Sequence, residues 1–180
     1  MRLASLAAAI VGAVMLFAPV PAAAQHGPDL AAQRAAIERL AGLVGNWQGE
    51  AQLRSPVQMT VHQTERVERD LDGLLIVVHG TGYANADHSG APVFQAFAAI
   101  SYDERRQIYE FRSYTRGYAT TATGEFLDED SFRWSIDAGA VKIRYTIDLS
   151  ADTWREIGEM SRDGGATWTP TLEMTLRRIP

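Results

Sequence analysis

The side chains of this chain that could do chemistry are few and scattered. There is no cysteine in the 180 residues, so thiolate metal sites and nucleophilic thiols are absent, and disulfides cannot support the fold. The four histidines are His26, His62, His79 and His88. His62 and His79 fall in strand-like segments but have no third ligand of the kind zinc requires. No Gly-x-Ser-x-Gly elbow, His-Glu-x-x-His pair, phosphate-binding glycine loop or dinucleotide fingerprint occurs. What remains is a set of carboxylates with polar and aromatic companions: Glu65, Glu110, Arg112, Tyr114 and Tyr145. Gathered inside a cavity, a Glu with Arg and Tyr could run isomerase or hydrolase chemistry, provided burial perturbed the carboxylate. On separate faces the same residues are a solvated surface and part of a core.

The elements that would position them follow from the pattern of the chain. Met1-Arg2 and the uncharged apolar run Leu3 to Val20, followed by Ala22-Ala23-Ala24, read as a signal peptide over 1–24 cut after Ala24. A retained anchor is the rival reading, because the run is just long enough to span a bilayer. Cleavage makes the protein periplasmic or secreted, with no membrane span left. Arg2 is the one charged residue removed, which leaves 16 basic residues against 22 acidic. That balance argues against nucleic acid as a partner, since phosphate binding needs a basic footprint.

A leader and helix occupy 25–45. Asp29 is an N-cap, and Leu30, Ile37, Leu40 and Val44 form the apolar side of about four turns. From 46 to 180 short runs rich in Val, Ile, Thr, Tyr, Phe and Trp alternate with turn signals, among them Asp72-Gly73, Arg116-Gly117, Ala138-Gly139 and Asp163-Gly164-Gly165. The expected fold is all-β: a closed antiparallel up-and-down barrel of about ten strands with an N-terminal helix, because tight hairpins keep sequence neighbours adjacent in space. Val141, Ile143, Tyr145, Ile147 and Leu149 alternate cleanly with polar residues, as do Leu172, Met174 and Leu176. In Val57, Met59, Val61, Gln63, Glu65 and Val67 two polar residues share the apolar parity. Either a bulge or a polar, hydrated lumen accounts for that mixture.

Gly45-Asn46-Trp47 opens the first strand directly after the helix, and Leu176-Arg177-Arg178 closes the last. This arrangement resembles lipocalin-like (calycin) barrels. The resemblance implies that Trp47 seals one end and that Arg177 or Arg178 stacks on its ring, a cation–π contact that also caps nearby carbonyls. The longer pattern, through Leu71-Asp72-Gly73-Leu74-Leu75 and Ser101-Tyr102-Asp103 to Asp163-Gly164-Gly165-Ala166-Thr167-Trp168, is similar to a widespread bacterial family of lipocalin-like barrels of uncharacterised function. The segment from Ser161 to Trp168 also resembles the Asp box of sialidases and related propellers. Propellers repeat that box blade by blade, so a single copy reads here as a structural β-turn in which Asp163 and Trp168 are the key residues. Nitrobindin-like barrels with a similar opening hold haem through a late histidine; no histidine lies beyond His88, so no cofactor is expected.

The resulting expectation is non-catalytic binding of a small, mostly apolar molecule in the lumen, with Met59, Phe97, Arg112, Tyr114 and Tyr145 as candidate wall residues. The alternatives are the Glu/Arg/Tyr enzyme and a filled barrel acting through its surface, with a homodimer as one form of that.

Overall fold

A computed structural model describes residues 27–54, 58–150 and 152–180. The expected signal peptide and its cleavage site, His26, the turn residues Ser55 and Pro56, the start of the second strand at Val57, and Ala151 lie outside these residues.

Helix α1 (Leu30–Glu38) begins where Asp29 accepts a hydrogen bond from the Ala32 amide at 3.0 Å. It is shorter than the four turns expected. The chain leaves the helix after Glu38 and makes a separate 3-10 turn over Ala41–Leu43, which drives Leu40 and Leu43 into the core before the first strand.

Ten strands follow: β1 (Gly45–Leu53), β2 (Met59–Asp70), β3 (Leu75–Tyr83), β4 (Phe94–Asp103), β5 (Ile108–Thr115), β6 (Tyr118–Phe126), β7 (Ser131–Ala138), β8 (Val141–Ser150), β9 (Thr153–Ser161) and β10 (Thr169–Ile179). Each pairs antiparallel with its sequence neighbour, and β1 also pairs with β10, so the sheet is a closed up-and-down barrel without a free edge. The β5–β6 turn shows how the short connections work. Arg116 and Gly117 both have positive φ, 50° and 81°, as a two-residue turn matching the twist of its strands requires.

Register fixes which side chains face inward. Pairing is continuous from Gly45–Leu53 to Met59–Val67 and on to β3, so the mixed parity of β2 is not a bulge: Gln63 and Glu65 point into the barrel with Val61 and Val67. The register break lies instead in β10, between Pro170 and Leu172, where proline has no amide hydrogen for the ladder.

One end of the barrel is closed. Helix α1 lies across it, with the Tyr109 hydroxyl donating to the Ala36 carbonyl at 2.8 Å and Gln33 donating to Glu104 at 2.7 Å. Ion pairs Arg34–Asp72 and Arg69–Glu38 hold its polar side. Beneath it Ile37, Leu40, Leu43, Trp47, Phe132 and Leu176 are fully buried.

Candidate functional site

Trp47 forms the closed end. Its indole N–H donates to the Leu43 carbonyl at 2.8 Å, and its ring meets Trp154 edge to face at 5.9 Å. The Arg178 guanidinium stands 4.1 Å over the ring and donates to the carbonyls of Val44 at 2.6 Å and Gly42 at 2.8 Å. Met174, Leu176 and Arg178 share the inner parity of β10, which is why Arg178 takes this role. Arg177 faces outward and bonds the Thr153 hydroxyl.

Beyond the plug the barrel is hollow. A cavity of about 310 Å³ starts above Leu43 and extends to Leu53, Phe94 and Thr171 at the end away from α1. Its two sides differ. On β3–β5 the small residues Gly80, Ala96, Ala98 and Ser113 are interspersed with Val78, Phe94, Ile100 and Phe111, whereas β7–β9 present Trp134, Tyr145 and Trp154. Trp134 is clamped between Phe111, 4.4 Å away, and Tyr145, 4.1 Å away, both nearly parallel to it. The small residues on β3–β5, together with a stacked aromatic set of Phe111, Trp134 and Tyr145, leave space that the side chains do not fill.

Two carboxyl groups face this space. Glu65 on β2 lies against β3, where an added Cβ at Gly80 would stand only 2.7–2.8 Å from its oxygens; glycine makes room for the carboxyl. The Gln63 amide donates to Glu65 Oε1 at 2.7 Å, while Oε2 is buried and has no hydrogen-bond partner. Glu156 on β9 accepts from the Trp154 indole at 3.2 Å. Both are nine-tenths or more removed from solvent, at 9% and 7% exposure. Burial pushes the Glu65 carboxyl up from 4.5 to about 8, opposed by the Gln63 hydrogen bond and reinforced by the Glu156 charge. Burial likewise raises Glu156 to about 7, against the pull of the Trp134 and Trp154 indoles. Tyr145 is raised to about 12, first by burial and then by the Glu156 charge. Near neutral pH the lumen therefore holds protonated or partly protonated acids, which can donate a hydrogen bond to a guest or give up a proton to one.

Of the expected wall residues, Tyr145 lines the cavity. Met59 has inward parity but packs against the core without reaching the cavity. Phe97, Arg112 and Tyr114 are corrected: all three lie on the outer face. Phe97 contacts His79 at 5.1 Å and Tyr114 at 6.0 Å in an external ladder, and Arg112 is paired with Glu110 at 2.6 Å in solvent. The Glu/Arg/Tyr set is thus divided, with Glu65 and Tyr145 inside and Glu110, Arg112 and Tyr114 outside. The lumenal residues missed from sequence are Glu156, Trp134 and Trp154. Their signal was the shared parity of Trp154, Glu156 and Gly158, and of Phe132, Trp134 and Ile136.

The hairpin between β9 and β10 is densely hydrogen-bonded, and its Gly164 amide also donates to the Ala140 carbonyl of the β7–β8 turn at 3.0 Å. Asp163 accepts from the Thr167 hydroxyl at 2.6 Å and the Thr167 amide at 2.9 Å, and from the Ser161 hydroxyl at 2.7 Å. Those bonds hold its carboxyl well below the usual carboxylate range. Trp168 donates to the Gly165 carbonyl at 3.1 Å and lies under the Arg144 guanidinium at 3.9 Å. Neither residue lines the cavity. Among the described residues no group of three or more His, Cys, Asp or Glu is placed to hold a metal ion, and no helix is long and apolar enough to cross a membrane.

No protein-family description matches the chain, and no curated protein does. Among solved structures the fold is similar to the crystal structure of Rv2717c from M. tuberculosis, with a TM-score of 0.59 and 16% identity, over 81% of this chain and 98% of that one. At that identity the likeness establishes the barrel architecture and nothing finer.

Proposed function

We propose that this barrel binds one small, mostly apolar molecule in its lumen without transforming it, and that it does so outside the cytoplasm as a lipocalin-like (calycin) protein. The observation that carries this reading is the cavity of about 310 Å³, walled mainly by apolar side chains with a few placed polar groups. Ligand pockets have that composition, and their volumes begin at about 300 Å³. A barrel that worked only through its surface would have no need of an interior held open by Gly80, Ala96 and Ala98 against a rigid Trp134 stack. The Trp47–Arg178 plug supports the lipocalin-like assignment. Met1-Arg2, the apolar run and Ala22-Ala23-Ala24 support export. Haem is not part of the reading, since among the described residues no histidine lines the lumen. The outer ladder of His79, Phe97 and Tyr114 offers a face for a homodimer, which sedimentation velocity would test.

Native mass spectrometry of the protein purified from its own host tests the central claim. The expected spectrum contains a one-to-one adduct with a small molecule that is lost on denaturation. A spectrum of the bare chain alone, together with no thermal stabilisation by apolar small molecules, would overturn it. Cell fractionation tests export, with recovery of uncleaved protein in the cytoplasm as the adverse result.

A further inference from the structure

Resting on that reading, the charge pattern of the lumen says which polar group its guest carries. The titratable side chains lining the cavity among the described residues are Glu65, Glu156 and Tyr145; no Lys, Arg or His lines it. Any fixed charge the wall can develop is therefore negative. Glu65 lines the cavity, and its Oε2 is buried without a hydrogen-bond partner. An unpartnered carboxyl oxygen in so dry a place destabilises the empty barrel, and a guest that supplies the carboxyl with a hydrogen-bond partner relieves it. Glu156 lines the same cavity, so a single cation in the lumen is attracted by both carboxyls once they give up their protons. A guest carboxylate would meet two acids and no counter-charge, which is the costly case of a buried unpaired ion.

We infer that the lumen selects an apolar molecule bearing an amine that is protonated in solution, seated on Glu65 and Glu156, and excludes the corresponding carboxylate. The ammonium donates to the Glu65 carboxylate while its hydrocarbon body fills the space beside Ala96, Ala98 and Trp134. An acid that is neutral in the empty barrel gives its proton to solvent as the ion pair forms, so binding near pH 7 releases up to about one proton.

Isothermal titration of the full mature chain with three probes of one skeleton tests this: 1-naphthylmethylamine, 1-naphthylmethanol and 1-naphthoate. The expected order at pH 7 is amine tightest, by about tenfold or more over the alcohol, with naphthoate weakest, because a charge-assisted bond outranks a neutral one. Heats measured in buffers of different ionisation enthalpy should show proton release for the amine and none for the alcohol. Glu65→Gln should bring amine and alcohol within about threefold, and a near-ultraviolet circular dichroism spectrum that matches wild type shows that the variant's barrel is still formed. Naphthoate binding as tightly as the amine would overturn the inference while leaving the lumen a binding site. So would equal affinity for amine and alcohol, or an amine preference that survives in both Glu65→Gln and Glu156→Gln. Failure of all three probes to bind would overturn the binding reading itself, and this inference with it.

Discussion

Trp47 and Glu65 are register partners on adjacent strands, yet they belong to differently built parts of the interior. Around Trp47 the indole N–H has its acceptor, the two carbonyls beside it have Arg178, and Ile37, Leu40, Leu43 and Leu176 leave no gap. Across the ladder, Glu65 is as buried as the core residue Phe111, but one of its oxygens is unpaired and its side chain lines a cavity. Burial alone thus does not distinguish stabilising from functional positions; the satisfaction of polar atoms and the filling of volume do. The plug end carries stability, whereas the lumen gives up part of that stability for a receptive space.

Breaking the plug should have the largest effect. Trp47→Ala is expected to cost about 3–5 kcal/mol as a large-to-small core change, measured by urea unfolding. Arg178→Met should cost about 1–3 kcal/mol, since it removes the cation–π contact and leaves two carbonyls unpaired. Arg177→Ala, on the outward parity, should stay within about 0.5 kcal/mol. Equal costs for the two arginines would remove the distinction between plug and surface.

The lumen should respond with the opposite sign. Glu65 rises from 4.5 in the unfolded chain to about 8 when folded, so the folded state holds its proton more tightly. A group raised in this way contributes its full stability below about pH 4.5, and that contribution is lost as pH climbs to about 8. Unliganded wild type should therefore weaken across that window, and Glu65→Gln should reduce the slope to what Glu156, raised to about 7, contributes with the same sign. At 1.36 kcal/mol per pH unit the ceiling is about 5 kcal/mol. The buried amide of glutamine takes back part of this, which leaves a gain at pH 8 of about 2–4 kcal/mol. A variant less stable than wild type at pH 8 would mean that Glu65 is structurally satisfied after all.

Much of the barrel was legible in the sequence because hairpin turns and alternation are local signals. Strands β8 and β10 declare their inner faces in Val141–Leu149 and Leu172–Leu176, and the parity that carries Leu176 inward also selects Arg178 over Arg177. The mixed parity of β2 already held the site in Gln63 and Glu65. Wall residues on β4 and β5 were misplaced for a physical reason. On β4 the inward parity is Phe94, Ala96, Ala98 and Ile100, and on β5 Phe111 and Ser113; both parities carry aromatics, so residue size did not reveal that Phe97, Arg112 and Tyr114 face out. Glu156 escaped notice because its hydrogen-bond partners, the indoles of Trp134 and Trp154, come together only once β7 and β9 close the ring.

Gly80 lies where the two regions meet on β3, and a methyl group there would press on the Glu65 carboxyl. The obstructed atoms are the far end of a flexible side chain, so Gly80→Ala should cost about 1 kcal/mol or less while pushing the carboxyl out into the cavity. Affinity for the amine probe should fall more than stability does. A large loss of stability with unchanged affinity would show that Gly80 serves the backbone and not the site.

The smallest effect is expected at Asp163, a carboxylate with the opposite surroundings to Glu65. It is solvent-exposed and saturated with donors, its titration is lowered by the Thr167 hydroxyl, the Thr167 amide and the Ser161 hydroxyl, and it faces no cavity. A lowered folded value contributes stability that is present above the unfolded value of about 3.8 and is lost as pH falls through the folded one. Asp163→Asn should therefore lower the thermal midpoint slightly at pH 7, with the difference from wild type shrinking below about pH 4, the reverse of the direction at Glu65. Affinity for the lumenal probes should be unchanged, because neither Asp163 nor Trp168 lines the cavity and Trp168 packs under Arg144 outside the barrel. Melting curves for both variants from pH 3 to pH 8 put the two carboxylates on one axis. If both profiles sloped the same way, burial and hydrogen-bond saturation would not be what separates the lumen from the surface.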